Sequence, residues 1–249
     1  MAFSHLIKDK TFYHDFQPII DLDYHQTIGY EALFRSGAYA TPESAYDQAM
    51  KSNQLYELDI SSIDKAVHSF VHIQDAMTHK KLFVNAYPST ILHPQFATHM
   101  DALLNLAREK ERPVVLEIIE SEEINDFSKL AEVVRALKQE GLQIAVDDFG
   151  KGGDNINRTI EVDADYIKLD RYFSINLTCS QKKQAYVSFI AEYCAKFNIK
   201  AIIEGLENEK DMELAANLGI HYAQGNFLGK PQQVSHSGDF GLKRIDDQL

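Results

Sequence analysis

Cysteine is scarce in this chain: among 249 residues only Cys179 and Cys194 carry a thiol. Neither belongs to a CxxC pair and no secretory leader precedes them, so both read as reduced, inert thiols rather than a disulfide framework. The opening, Met1-Ala-Phe-Ser-His-Leu-Ile-Lys-Asp-Lys10, is too polar and too soon interrupted by charge for a signal peptide. No apolar run approaches the roughly 20 residues of a membrane helix. These absences predict a soluble, cytoplasmic protein with no membrane partner. Positive charge is also short, with 25 Lys and Arg against 37 Asp and Glu and a net charge of −12. Without a Lys/Arg-rich run nothing neutralises a phosphate backbone, which argues against a DNA or RNA binder. The scattered histidines include one pair at helical spacing, His68 and His72, but no HExxH, so a solvated helix face is predicted there. Gly152 and Gly153 lack the GxxxxGK[ST] of a phosphate loop and read as a turn.

What the chain does have is an ordinary globular composition, 45% hydrophobic and 25% charged, and a repeating order of short apolar runs and amphipathic stretches. Phe16 to Leu22 reads as a strand, Asp23 to Gln26 as a tight turn and Thr27 to Phe34 as the hairpin partner. After a loop containing Pro42, the residues Ile60, Ile63, Val67, Phe70 and Val71 recur at helical spacing, and Lys81 to Ala86 reads as a strand. Phe96, Met100, Leu103, Leu104 and Ala107 form a second stripe, followed by a strand from Val114 to Ile118. Leu130, Val133, Val134 and Leu137 form a third, which Gly141 stops in the position of a helix C-cap. Then comes a strand of three apolar residues in the stretch Gln143 to Gly150, followed by strands at Tyr166 to Leu169, Ile199 to Ile203 and His221 to Gly225, with helical stripes at Val187 to Cys194 and Met212 to Ala216.

No linker or low-complexity segment interrupts the alternation, which predicts one domain over 1–249, with a core of about 12–231 and a polar tail at 232–249. Strand followed by helix, repeated about eight times, is the order of a TIM-type (β/α)8 barrel in the α/β class. The early hairpin adds one antiparallel strand near the N-terminus, expected to make a single antiparallel join.

The stretch Gln143-Ile-Ala-Val-Asp-Asp-Phe-Gly150 carries an apolar strand directly into two adjacent carboxylates. Such a pair either rises in pKa or shares a cation. Similar strand ends carry Asn85, Glu117, Lys168, Glu204 and Gln224, with Glu31 from the hairpin. In a barrel the C-terminal strand ends open on one face, so these side chains would converge as a divalent-metal site with a phosphate handle. Singly, each is more often a surface charge; their recurrence at consecutive strand ends favours convergence. Hydroxylated aromatics elsewhere read as core.

With these residues in view, Tyr30-Glu-Ala-Leu-Phe-Arg35 resembles the signature of the EAL domain family of cyclic di-GMP phosphodiesterases. Gln17-Pro-Ile, Val84-Asn85, Leu116-Glu-Ile-Ile-Glu120, Asp147-Asp-Phe-Gly150, Ile167-Lys-Leu-Asp170, Glu204-Gly-Leu-Glu207 and Gln224-Gly-Asn-Phe-Leu-Gly-Lys-Pro231 follow in the family's order. The resemblance implies hydrolysis of cyclic di-GMP to linear pGpG with Mg2+ or Mn2+ in a two-metal site, and a homodimer. It implies Glu31, Asn85, Glu117 and Asp147 as metal ligands, with Asp148 and Glu204 joining a second metal. Lys168 matches the residue that approaches the attacking water, and Glu204 and Glu207 join it in the catalytic group. Glu207 and Gln224 match residues that help hold the metal and water, Arg35 one that contacts phosphate, and Gln17 and Gln224 ones on the substrate side. Glu120 matches a residue that anchors the loop after Asp148. That loop departs from the family pattern: after Gly150 this chain reads Lys151-Gly-Gly-Asp-Asn155, where the family usually has Thr or Ala, Gly, an aromatic and two serines. The departure keeps every ligand, yet it is the feature that supports the alternative of a non-catalytic cyclic di-GMP sensor or interaction module. An unrelated barrel hydrolase or lyase ranks below both.

Overall fold

The computed structural model describes residues 2–73, 79–120, 122, 126–150 and 159–233. Its strands are β1 (Phe12–Asp21), β2 (Gln26–Ser36), β3 (Lys81–Ala86), β4 (Val114–Ile118), β5 (Gln143–Phe149), β6 (Tyr166–Leu169), β7 (Lys200–Ile203), β8 (Tyr222–Ala223) and β9 (Gln232–Gln233). From β2 to β8 each strand pairs in parallel with the next, and β1 closes the ring between β8 and β2. The expected barrel with one antiparallel strand is therefore present. The single antiparallel join is corrected to two, because a reversed strand inside a closed ring is antiparallel to both neighbours. The tail also begins differently from expectation: β9 pairs with Asp15 and Phe16 of β1, while 234–249 lie outside the described residues.

The helices α1 (Ala2–Lys8), α2 (Pro42–Lys51), α3 (Leu55–Val71), α4 (Pro88–Ile91), α5 (Phe96–Glu109), α6 (Phe127–Gln139), α7 (Arg171–Ser174), α8 (Gln181–Lys196) and α9 (Glu209–Asn217) accompany the strands. The apolar stripes read from spacing are the faces that α3, α5, α6, α8 and α9 turn inward; in α5, for example, Phe96, Met100, Leu103, Leu104 and Ala107 are all buried. Gly141 follows α6 at φ +86°, the left-handed conformation that its place beyond the helix end requires. The loop expected around Pro42 is instead α2. Thr41 caps it, Pro42 occupies its first turn and Ser44 returns the capping bond. Helix α1 went unread because its two buried anchors, Phe3 and Leu6, are too few to declare a period. Among the described residues no helix is long and apolar enough to cross a membrane.

One apolar layer plugs the barrel: Ile19, Phe83, Val115, Ala145, Tyr166 and Ile202. Side chains two residues apart on a strand share a face. One step up each parallel strand, the same inward face carries Asn85, Glu117, Asp147, Lys168 and, just past β7, Glu204. On reversed β1 the step runs backwards, from Ile19 to Gln17, and Gln17 faces Glu31 across the hairpin. A packed apolar floor thus supports a polar layer at the C-terminal mouth.

Candidate metal centre

Lys168 stands at the middle of the polar layer, fully buried, with its ammonium ringed by carboxylates. Its Nζ lies 2.7 Å from Glu204 Oε1, 2.8 Å from Glu117 Oε1, 3.0 Å from Glu31 Oε2 and 3.1 Å from Asp147 Oδ1. Glu31 also accepts from Gln224 Nε2 at 2.8 Å and Asn85 Nδ2 at 3.3 Å. Gln224 Nε2 reaches Gln17 Oε1 at 3.0 Å, and Gln17 Nε2 donates to the Gly229 carbonyl at 3.0 Å. The strand ends and the segment after β8 are thereby laced together around one cation.

Adjacent strand residues normally face opposite ways, yet Asp147 and Asp148 both offer an oxygen to the mouth. The β5–β6 register shifts between Val146 and Phe149, and Asp148 takes φ +54°. This local break turns the second carboxylate round, so that Asp147, Asp148 and Glu204 present ligand atoms within 4.8 Å of one another. Gly150 completes the turn at φ +99°, where a Cβ would meet the Phe173 ring at 2.3 Å.

One ammonium does not balance this many carboxylates. Burial and the charge of Glu31 push Glu117 well above the usual carboxylate range. Burial raises Asp147, with Glu31 and Asp148 adding repulsion, and Glu204 is pushed up to about 8 by burial and by Asp147 and Glu31. Glu31 is the exception: burial opposes its charge, but Lys168, Gln224 and Asn85 together hold it below its ordinary value. Burial opposes the Lys168 charge too, and its four carboxylate partners override it, raising the ammonium well above the ordinary lysine value. Glu117 Oε2 is buried with no hydrogen-bond partner among the described residues. A buried, unspent carboxylate oxygen within an over-charged ring of hard oxygen donors fits a divalent cation.

The remaining expected residues lie around this centre. Arg35 sits at its rim, its Nε held by Asp15 Oδ2 at 2.8 Å. Glu207 is exposed and pairs with Arg171 at 3.3 Å, outside the group around Lys168. Glu120 is half-buried with Oε2 lacking a hydrogen-bond partner among the described residues, and the loop it is expected to anchor, including Lys151 to Asn155, Gly152 and Gly153, lies outside them. Sequence reading missed a cavity of about 280 Å³ that opens beside Asn85, Asp147 and Asp148 and is lined by His14, Tyr46 and Tyr87. The available signal was His14 itself, a polar residue alternating with Phe12 and Phe16 on the buried face of β1.

The sequence model of the EAL domain matches residues 1–231. Cyclic di-GMP phosphodiesterase PdeF of Escherichia coli is 26% identical over 194 residues, 78% of this chain and 26% of the relative. The blue light- and temperature-regulated antirepressor BluF of the same organism is 25% identical over 232 residues, 92% of this chain and 56% of the relative. Among solved structures, Klebsiella pneumoniae BlrP1 in its calcium/cyclic di-GMP complex superposes with a TM-score of 0.76 at 25% identity, covering 92% of this chain and 57% of that one. The chain thus spans between a quarter and just over half of the length of these proteins.

Proposed function

The chain belongs to the EAL domain family, and from that premise we propose that it is a metal-dependent phosphodiesterase that opens cyclic di-GMP to linear pGpG. The observation that carries this reading is the over-charged carboxylate ring around Lys168 at the open mouth of the barrel. Glu31, Asn85, Glu117 and Asp147 would hold one divalent ion, with Asp148 and Glu204 joining a second. Bound there, Mg2+ or Mn2+ neutralises phosphoryl oxygens and acidifies water. Lys168 then places a fixed positive charge against the attacking water and favours its deprotonated form. Gln224, fixed through Gln17 to the Gly229 carbonyl, orients Glu31 and the substrate-side groups. Arg35, braced by Asp15, faces a phosphate oxygen at the rim. Glu207 joins the water-holding group by turning from Arg171, and Glu120 anchors the loop after Asp148.

The same reading takes 1–249 as one domain in a homodimer. An exposed aromatic run supports self-association: Tyr172, Tyr186 and Phe189 lie at 60%, 37% and 60% exposure along α7 and α8. A second reading, a non-catalytic nucleotide sensor, draws on the Lys151 to Asn155 text and on a relative named as an antirepressor. Incubation with cyclic di-GMP and Mn2+ or Mg2+, with chromatography of products, separates the two. The phosphodiesterase yields pGpG that EDTA suppresses; tight binding without turnover gives the place to the sensor.

A further inference from the structure

Among the described residues, Asp59 is the most deeply buried carboxylate outside the metal centre, 1% exposed on the inward face of α3. Its surroundings include no cation: Oδ2 accepts the Tyr87 N–H at 2.8 Å, Oδ1 accepts the Tyr46 hydroxyl at 3.4 Å, and Thr90 and the charge of Glu122 lie nearby. Burial, with Glu122 adding repulsion, pushes the carboxyl up to about 7 against the pull of the Tyr87 N–H. Keeping a carboxylate this deep without a counter-charge costs free energy that its hydrogen bonds only partly return.

The stronger of those bonds sits at the exit of β3. Asn85 stands one residue from the end of that strand, opposite Glu117 of β4, and its Nδ2 reaches Glu31 Oε1. The ladder with β4 ends one pair later, at Ala86 and Ile118. The next amide is that of Tyr87, which stands extended at φ −75° and ψ 139° before the turn of α4, and its N–H goes to Asp59. Glu122 Oε2 takes the Ser89 N–H just beyond, at 2.7 Å. Behind Asp59 the Tyr46 ring stacks on Tyr87 with centroids 5.1 Å apart, and Ser62 bonds both the Tyr46 hydroxyl and, at 2.9 Å, His14 Nε2. One carboxylate therefore ties α2 and α3 to the backbone two residues past Asn85.

We propose that Asp59 is a positioning residue for the metal centre: by accepting the Tyr87 N–H it fixes the exit of β3 and so holds the Asn85 side chain in the ring with Glu31 and Glu117. The inference rests on the metal-dependent reading for the role of Asn85. Among the expected ligands Asn85 alone is neutral. A carboxylate is drawn to a cation by its charge, whereas an amide oxygen contributes through its dipole, and a dipole counts only when it is correctly directed. Groups that orient ligands from outside the coordination sphere are worth about 10- to 100-fold in metal affinity.

Asp59→Leu fills the volume and deletes the acceptor, Asp59→Asn keeps an oxygen for the Tyr87 N–H without the charge, and Tyr46→Phe removes only the hydroxyl at Oδ1; circular dichroism verifies each fold. Calorimetric titration of the whole chain with Mn2+ alone reads the ring without turnover. The Kd should rise at least tenfold in Asp59→Leu and stay within twofold of the parent in Asp59→Asn and Tyr46→Phe. Cleavage of cyclic di-GMP by Asp59→Leu should fall in step at limiting Mn2+ and return with excess Mn2+. A Kd within twofold of the parent in folded Asp59→Leu overturns the inference and leaves the phosphodiesterase standing. A tenfold loss shared by Tyr46→Phe assigns the effect to general packing of α2 on α3, and one shared by Asp59→Asn assigns it to charge; either overturns the inference too. Absence of Mn2+ binding and of cleavage by the parent chain overturns both readings. Should Asp59→Leu fail to fold, linkage supplies the test in the parent, because what the bond does for the metal the metal does for the bond. Saturating Mg2+ must then slow hydrogen exchange of the Tyr87 amide by a larger factor than that of the α8 amides, and an equal or smaller factor overturns the proposal.

Discussion

Lys168 shows how one residue sets the state of a whole site. Its ammonium is the shared counter-charge of Glu31, Glu117, Asp147 and Glu204, all within 3.1 Å. Removing one partner of a buried charge group leaves the rest uncompensated, at a cost of about 3 to 5 kcal/mol. Lys168→Met keeps the length and volume while deleting the charge. Urea unfolding of this variant without metal should show a loss of that order, and pGpG formation should be abolished. A variant as stable as the parent would mean that the carboxylates had simply taken up protons. Glu31 differs from its neighbours for an equally local reason, because Gln224 and Asn85 donate to it and to none of the other carboxylates around Lys168.

At the scale of elements, the helices differ in how they announce themselves. Helix α5 is legible from five apolar residues on one face, whereas α2 carries its signal at one end, in Thr41, Pro42 and Ser44. Thr41 Oγ1 accepts from the Ser44 N–H, and the loss of such a cap costs about 1 kcal/mol. Thr41→Ala should therefore lower the unfolding free energy by that amount, seen as a lower urea midpoint with the slope unchanged, which a titration followed by circular dichroism checks. Strand β5 differs again. Its Asp147-Asp148 pair was legible as charge, but two carboxylates on one side depended on a register shift opposite β6 and on φ +54° at Asp148. Neither is visible in a pattern of polar and apolar letters.

For the molecule as a whole, the carboxylate ring links metal, proton and stability. Glu204, at about 8, and Glu117 and Asp147, also raised, keep protons in the folded state that the unfolded chain releases near its ordinary carboxylate values. Where the folded state binds more protons, stability falls as pH rises, so these groups lose their contribution between about pH 4.5 and 8. A divalent ion competes for the same oxygens and gains as the protons leave. The stabilisation by Mn2+, read as a rise in melting temperature, should accordingly be small at pH 5 and grow toward pH 8, where it amounts to about 2.7 kcal/mol at a hundredfold excess over Kd. Comparing with and without metal at each pH cancels groups outside the ring, such as His14. A metal effect that is flat across this window would place the ion elsewhere.

The sequence by itself determined the barrel and the identity of the polar layer, because both follow from period: strand and helix alternate along the chain, and side chains two apart on a strand share a face. It also determined the excess of negative charge that makes a cation the natural occupant of the mouth. Tertiary structure alone decided that Lys168 touches four carboxylates, that Glu207 turns out to Arg171, and that β1 is antiparallel on both sides. It alone decided that His14, one polar letter among phenylalanines, is buried with its Nε2 2.9 Å from Ser62 Oγ. These are distances between residues far apart in the chain, set by how the ring closes and the helices pack, and no local pattern encodes them.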